Sequence, residues 1–317
     1  MGSTRNQTAA IRPDAMDWSA GNRDRIERLC ERARELAASA EKMLAVFDFA
    51  GTLIVNDLGD KIYHHQAENL DFKFDDPGFL SAVQFKDYGA KVMAARDRVI
   101  KGGEPATLFR DQCLTLYLAM LEDKGPMMAY PFVTRLLSGF TEQEVRDMAD
   151  RVIEEQEAAT ISREELVLPE GRRLDFRQGI RLSRPVAGLM TRLKAEGALV
   201  CVISGTSEIV VDRFLKRHGL EVDVLIGMKT HIVDGKLTDR IVRPPTISEG
   251  KLEIVMNRFG RLPDFAAGDS PFDVPLLRAA GRNVLLVDQS QGMFRDQEVL
   301  DEAASRGWMV QVFGQGG

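Results

Sequence analysis

The stretch Leu44-Ala45-Val46-Phe47-Asp48-Phe49-Ala50-Gly51-Thr52-Leu53 decides the fold. Its four leading apolar residues have the length of a buried strand, and the glycine after Asp48 breaks it. An apolar strand that delivers an acid into a glycine turn is the layout of a site at the carboxyl end of a parallel strand. The arrangement returns twice downstream. Ala198 to Ile203 runs into Ser204-Gly205-Thr206, and Phe265-Ala266-Ala267 runs into Gly268-Asp269-Ser270-Pro271-Phe272-Asp273. Pro185 to Glu196, Glu208 to His218, Glu249 to Phe259 and Pro275 to Ala280 read as helices; Asp223 to Ile226, Asn283 to Val287 and Met309 to Phe313 read as strands. Alternation of this kind implies an α/β fold with a doubly wound parallel sheet, a Rossmann-type core.

Outward from that core the pattern changes. Residues 1–20 are polar and read as a flexible N-terminus, and residues 21–43 carry helical spacing, with Ile26, Leu29, Cys30, Ala33, Leu36, Ala37 and Ala40 on one face. That face packs on the main domain; a homodimer contact is the alternative. The core is expected at 44–64 and 182–317, and 65–181 reads as an all-helical domain inserted between the first two strand–turn units. Phe79 to Ile100, Ala106 to Leu121 and Glu142 to Ala158 look like its helices, with Gly102-Gly103-Glu104-Pro105 and Gly125-Pro126 as breakers. Thr141 and Glu144 form a capping box. Asp234-Gly235 within Thr230 to Thr238 fits the two-residue turn of a hairpin.

Composition limits the function classes. The 317 residues carry 48 acidic and 42 basic side chains, a net charge of −6, so a general electrostatic footprint for nucleic acid is not expected. Hydrophobic residues at 44% can bury a substantial core, which excludes global disorder. Cys30, Cys113 and Cys201 are odd in number and far apart, as free thiols in a reducing compartment would be. No apolar run approaches a membrane span, and residues 1–20 have no apolar signal core. A cytoplasmic protein without membrane or nucleic-acid partners is expected.

Strand ends of one parallel sheet converge on one crevice. Asp48, Ser204, Asp269, Asp273 and Lys251, at the start of its helix, would meet there. Two carboxylates and a backbone carbonyl suit a hard divalent cation such as Mg²⁺. Lysine and serine suit the oxygens of a phosphoryl group, and a carboxylate nucleophile can form an aspartyl-phosphate. On these residues the chain resembles the haloacid dehalogenase (HAD) superfamily, most closely its phosphoserine phosphatase-like branch. Asp48, Gly51 and Thr52 match the first motif, Asp-x-Asp-Gly-Thr; Ser204 matches the second and Lys251 the third; Gly268, Asp269 and Asp273 match the fourth, Gly-Asp-x-x-x-Asp. The resemblance covers roughly residues 44–290, with the helical block in the position of a mobile cap. It implies that Asp48 attacks phosphorus, that Thr52, Ser204, Gly205 and Lys251 hold the phosphate, and that Mg²⁺ sits between Asp48, the Ala50 carbonyl and Asp269. Asp273 would support the metal's water or orient Lys251. The substrate would be a small phosphorylated metabolite.

Position 50 departs from the pattern. Most phosphatases of this family have there an Asp that protonates the leaving alcohol and then deprotonates water, and Ala50 can do neither. Three readings stay open: an introduced Asp→Ala change; a natural alanine, as in phosphonatase-type enzymes that cleave a carbon–phosphorus bond with a cap lysine; and a catalytically degenerate phosphometabolite-binding protein. Lys86 and Lys91 are the candidates for such a lysine. Lys229 and Lys236 are rivals of Lys251. His64 and His65 read as polar lining or surface, and Arg172, Arg173, Arg177, Arg181 and Arg184 as a solvated exit from the cap. Met120, Met127, Met128, Tyr117, Tyr130 and Phe132 read as cap core.

Overall fold

The computed structural model describes residues 18–288 and 296–312. The N-terminal tail expected to be flexible lies, through residue 17, outside the described residues, as does Phe313. Helix α1 (Ala20–Ala38) precedes β1 (Leu44–Asp48) and the short β2 (Ile54–Val55). Then come α2 (Leu58–Asn69), α3 (Pro77–Val83), α4 (Tyr88–Gly102), α5 (Ala106–Lys124), α6 (Pro126–Arg135) and α7 (Glu142–Ala158), followed by β3 (Ser162–Val167), β4 (Arg173–Gln178) and β5 (Arg181–Leu182). The alternating part comprises α8 (Arg184–Ala195), β6 (Leu199–Ser207), α9 (Glu208–Arg217), β7 (Val224–Met228), the hairpin of β8 (Thr230–Val233) and β9 (Lys236–Ile241), and α10 (Glu249–Phe259). It closes with β10 (Phe265–Gly268), α11 (Val274–Ala279), β11 (Val284–Asp288), α12 (Gln297–Arg306) and β12 (Met309–Val312).

Six of the strands form one parallel sheet in the order β12-β11-β10-β1-β6-β7. Strand β1 is buried along its whole length because helices cover both faces. Ala45 and Phe47 point into a cluster with α1, α7, α8 and α9, while Leu44 and Val46 point into another with α10, α11 and α12. The apolar face of α1 is thus covered within its own chain. From β1 the chain steps outward to β6 and β7 on one side, then returns to β10, β11 and β12 on the other. Such a reversal opens a crevice at the carboxyl ends of the central strands. This is the α/β, doubly wound Rossmann-like fold expected from the sequence.

Helices α2 to α6 enclose a separate cluster that includes Tyr63, Phe72, Phe79, Val92, Phe109, Leu114 and Phe132. Helix α7 does not join it; Val145, Met148, Val152 and Ile153 are buried with the sheet. The block read as all-helical also holds the antiparallel pair β3–β4. The single helix expected over Phe79 to Ile100 is two, α3 and α4, parted where Lys86 takes a φ of 49°. The capping box at Thr141 and Glu144 and the Asp234-Gly235 turn are both present. Cys30, Cys113 and Cys201 are buried free thiols. No helix among the described residues is long and apolar enough to cross a membrane.

Candidate active site

Strand register brings the strand-end residues together. Asp48 is level with Ile203 of β6, so Ser204 lies one step beyond it, and β10 ends beside it at Gly268, just before Asp269. Lys251 enters from the first turn of α10. Its Nζ donates to Asp48 Oδ1 at 2.6 Å and to Asp273 Oδ1 at 2.6 Å. The other oxygen of Asp273 accepts from the Asp269 and Ser270 amides at 3.2 and 3.1 Å and from Ser270 Oγ at 2.8 Å. Both oxygens of Asp273 are therefore engaged inside the protein. Thr52 Oγ1 lies 3.3 Å from Asp269 Oδ1 and 3.5 Å from Asp48 Oδ2. Ser204 Oγ accepts the Thr206 amide at 3.0 Å, which leaves its own proton for a bound oxyanion.

Gly51 makes this cluster possible. Its φ is 74°, and a Cβ there would stand 2.0 Å from Asp269 Oδ2.

Among the described residues, one ammonium faces the buried carboxylates of Asp48 and Asp273 and the half-buried one of Asp269. Burial, with repulsion from Asp273 behind it, pushes Asp48 up to about 7 despite the pull of Lys251. Asp269 is raised well above the carboxylate range by burial and then by Asp273 and Asp48. Burial works against the Lys251 charge, but the attraction of Asp273 and Asp48 overrides it and raises its pKa. One oxygen from each of Asp48, Asp269 and Asp273 lies within 4.8 Å of the others. A hard divalent cation suits such an all-oxygen donor set and would offset the surplus negative charge. With Asp273 engaged, Asp48, Asp269 and the Ala50 carbonyl are the groups able to hold it.

A cavity of about 130 Å³ opens over this floor, bordered by Asp48, Ala50, Ser204, Gly205, Lys251 and Asp269. Of its wall, the sequence pointed only to His64 as polar lining. Asp57, Asp60, Lys61 and His64 recur at spacings of three and four, so one face of α2 and its N-cap lines the cavity. Asp57 caps α2 through the Gly59 amide at 2.7 Å and accepts from Thr206 Oγ1 at 3.3 Å, tying the helix to the Ser204 loop. Lys61, 3% exposed, donates to the Arg177 carbonyl and stands 5.7 Å from the centre of the Phe176 ring. Burial lowers its pKa against the attraction of Asp60 and Asp57. His64 stacks on Phe176 at 4.6 Å, with a buried Nδ1 that has no hydrogen-bond partner, and burial holds its pKa well below the usual value. The helical spacing of 57, 60, 61 and 64 directly after the glycine turn was the signal available.

Other expectations are corrected. Tyr117 and Tyr130 pack against the cap core as expected but also line the cavity, and Tyr130 meets Phe272 edge-on at 5.1 Å. Met120 and Phe132 are core, but Met127 and Met128 are exposed. Lys86 pairs with Asp123 at 2.8 Å and Lys91 with Asp87 and Glu170 at 2.8 and 2.7 Å; neither borders the cavity. Lys229 pairs with Glu208 at 2.8 Å, and Lys236 is exposed on its hairpin. Of the arginines, Arg177 lines the cavity, held by Asp175 at 2.7 Å. His65 faces Glu155 at 3.3 Å.

Comparison with known proteins agrees with this geometry. No curated protein matches the sequence. Among solved structures, a conserved functionally unknown protein from Anaerococcus prevotii is similar with a TM-score of 0.74 and 19% identity, over 95% of this chain and 93% of that one. A protein of unknown function from Bordetella pertussis Tohama I is similar at 0.56 and 20%, over 85% and 97%. At these identities the likeness is one of fold. The model of the haloacid dehalogenase-like hydrolases matches residues 45–278, from β1 through the Asp269 loop to α11. The chain therefore belongs to the haloacid dehalogenase-like hydrolase family.

Proposed function

We propose that this hydrolase removes phosphate from a small phosphorylated metabolite, with Mg²⁺, through an aspartyl-phosphate on Asp48. The observation that carries the reading is the Lys251 ammonium set between Asp48 and Asp273, beside the Ser204 hydroxyl, on the floor of one cavity. Asp48 forms the bond to phosphorus. Lys251 and Ser204 hold the phosphoryl oxygens, Thr52 orients the carboxylates, and Asp273 holds Lys251 in place. A bound Mg²⁺, held by Asp48, Asp269 and the Ala50 carbonyl, supplies further positive charge against the phosphoryl oxygens. Helices α2 to α6 serve as the cap that excludes water and selects the substrate. The cavity volume supports a small molecule over a polymer.

The test is a panel of phosphomonoesters with and without Mg²⁺. Turnover that requires Mg²⁺ and is lost in Asp48→Asn is expected. If neither the chain nor its Ala50→Asp variant turns over any ester, the reading falls.

A second reading, cleavage of a carbon–phosphorus bond, is favoured by one observation: Lys61 is a buried, cavity-lining amine with a lowered pKa. It replaces Lys86 and Lys91 as the lysine that would condense with a substrate aldehyde. Borohydride with phosphonoacetaldehyde would then fix a label on Lys61, and an unlabelled Lys61 counts against it.

A further inference from the structure

Ala50 cannot donate a proton to a leaving alkoxide, yet the cavity beside it holds a carboxyl that the floor does not use. Asp60 stands in the first turn of α2 and lines the cavity. Among the described residues it makes no hydrogen bond and no ion pair, whereas its neighbour Asp57 is engaged by the Gly59 amide and Thr206. Asp60, Asp57 and Tyr130 line the same cavity as Asp48 and Asp269, so the wall carboxyls and the proposed cation site share one space. The bland account is that Asp60 complements the dipole at the start of its helix. That account explains an exposed acid; it does not explain one that lines a cavity together with Tyr63, Leu114 and Leu174.

Resting on the phosphatase reading, we propose that Asp60 is the proton donor and acceptor that position 50 lacks. As Asp48 bonds to phosphorus and the ester P–O bond breaks, the Asp60 carboxyl gives its proton to the departing oxygen, which leaves as the alcohol. The Asp60 carboxylate then takes a proton from water as the water oxygen bonds to phosphorus and the bond from phosphorus to Asp48 breaks. Phosphate leaves, and both acids return to their starting states.

The surroundings suit this cycle. Burial and then Asp57 raise the Asp60 pKa to about 7, against the pull of Lys61 and Arg177. The charged and titratable groups bordering the same cavity are Asp57 at the N-cap of α2, Lys61, Tyr63 and His64 on α2, Tyr117 on α5, Tyr130 on α6, Asp175 and Arg177 on β4, and Asp48, Lys251 and Asp269 below them. Lys61 is a weaker candidate because its ammonium is committed to the Arg177 carbonyl. His64 is held neutral and has no proton to spare as an acid.

The test compares the full chain, Asp60→Asn and Ala50→Asp/Asp60→Asn on aryl phosphates of increasing leaving-group basicity, with 4-nitrophenyl phosphate at the easy end. Asp60→Asn should lose about 10²–10⁴-fold on phenyl phosphate. On 4-nitrophenyl phosphate, whose leaving group needs no proton, it should give a stoichiometric burst and then stall as the phosphorylated protein. The double variant should recover turnover, because an acid again stands at position 50. Asp60→Asn that turns over every ester within about threefold of the parent overturns the inference and leaves the phosphatase reading standing. So does loss of the burst together with no rescue in the double variant, which marks Asp60 as structural. If the parent gives neither burst nor turnover while Ala50→Asp turns over, this inference falls and the phosphatase reading stands; if neither of them turns over any ester, both fall.

Discussion

On the floor of the cavity, Lys251 has a carboxylate oxygen 2.6 Å away on either side. On the wall, Asp60 has no hydrogen-bond partner among the described residues, and His64 Nδ1 is buried without one. Both regions line the same cavity, but on the floor the charged groups are paired with one another, while on the wall Asp60 and the His64 Nδ1 are not. An unsatisfied buried polar group costs about 1–3 kcal/mol. A ligand in the cavity would complete such groups, and on the proposed reading the wall would meet the variable part of the substrate. The floor, complete in itself, is the part that can be shared among substrates.

The comparison breaks most easily at the floor. Asp48→Asn keeps the side-chain shape and removes the nucleophile, so phosphate release should drop to the detection limit with any ester. Lys251→Met should follow, and it should also destabilise. Asp48 and Asp273 would remain buried and close together with no cation between them. Removing one partner of a buried pair costs about 3–5 kcal/mol, and each kcal/mol lowers Tm by roughly 2–4 °C in chains somewhat shorter than this one. An unchanged Tm at pH 8 would mean that the floor is not held together by this ion pair.

Gly51→Ala probes the floor without removing a charge. The left-handed φ costs roughly 1–2 kcal/mol for a residue with a Cβ, and that Cβ would displace Asp269 Oδ2. The Mg²⁺ concentration for half-maximal activity should rise at least about tenfold, by analogy with lost ligand support. A normal Mg²⁺ requirement would remove Asp269 from the cation site. Asp60→Asn sharpens the wall instead. Its carboxyl has a pKa of about 7 in the folded chain, raised from 3.8. Folding therefore favours the protonated form, and that contribution is lost as pH rises from about 4 through 7. Asn carries no charge, so the variant should gain Tm relative to the parent across that window and hold the gain above it. A Tm difference that is flat with pH would show that Asp60 is not held unpaired.

The two regions also differ in how much of them the sequence discloses. Parallel strands buried on both faces read as continuous apolar runs, so β1, β6 and β10 and the acids at their ends are visible locally. The wall is assembled from α2, α5, α6 and β4, which are distant in sequence, and its polar residues look like the solvated start of a helix. The β3–β4 pair was hidden because β3 is mostly exposed and polar, and the alternation of Leu174 and Phe176 in β4 is too short to stand out between charged residues. The break between α3 and α4 falls at Gln84–Asp87, without the Gly or Pro that usually announces one. Tyr117 and Tyr130 carry apolar rings at helical spacing, and only tertiary packing decides that they face the cavity.

The smallest expected effect belongs to Lys86→Ala. In sequence Lys86 is a candidate cap amine and Lys61 attracts no notice. In the fold, Lys86 is 54% exposed in its side chain and pairs with Asp123 at 2.8 Å, away from the cavity. An exposed pair of this kind contributes about 0–1 kcal/mol. Lys86→Ala should therefore leave turnover, Mg²⁺ requirement and aldehyde labelling unchanged and shift Tm by no more than a few degrees. Lys61→Ala, by contrast, removes a buried ammonium that holds the Arg177 carbonyl and balances Asp60 and Asp57. If Lys86→Ala slowed turnover as much as Lys61→Ala, residue type and not position in the cavity would govern the wall. The α3–α4 junction would then have to close over the substrate during the reaction, a movement that protection of Lys86 from acetylation by a bound phosphate analogue would reveal.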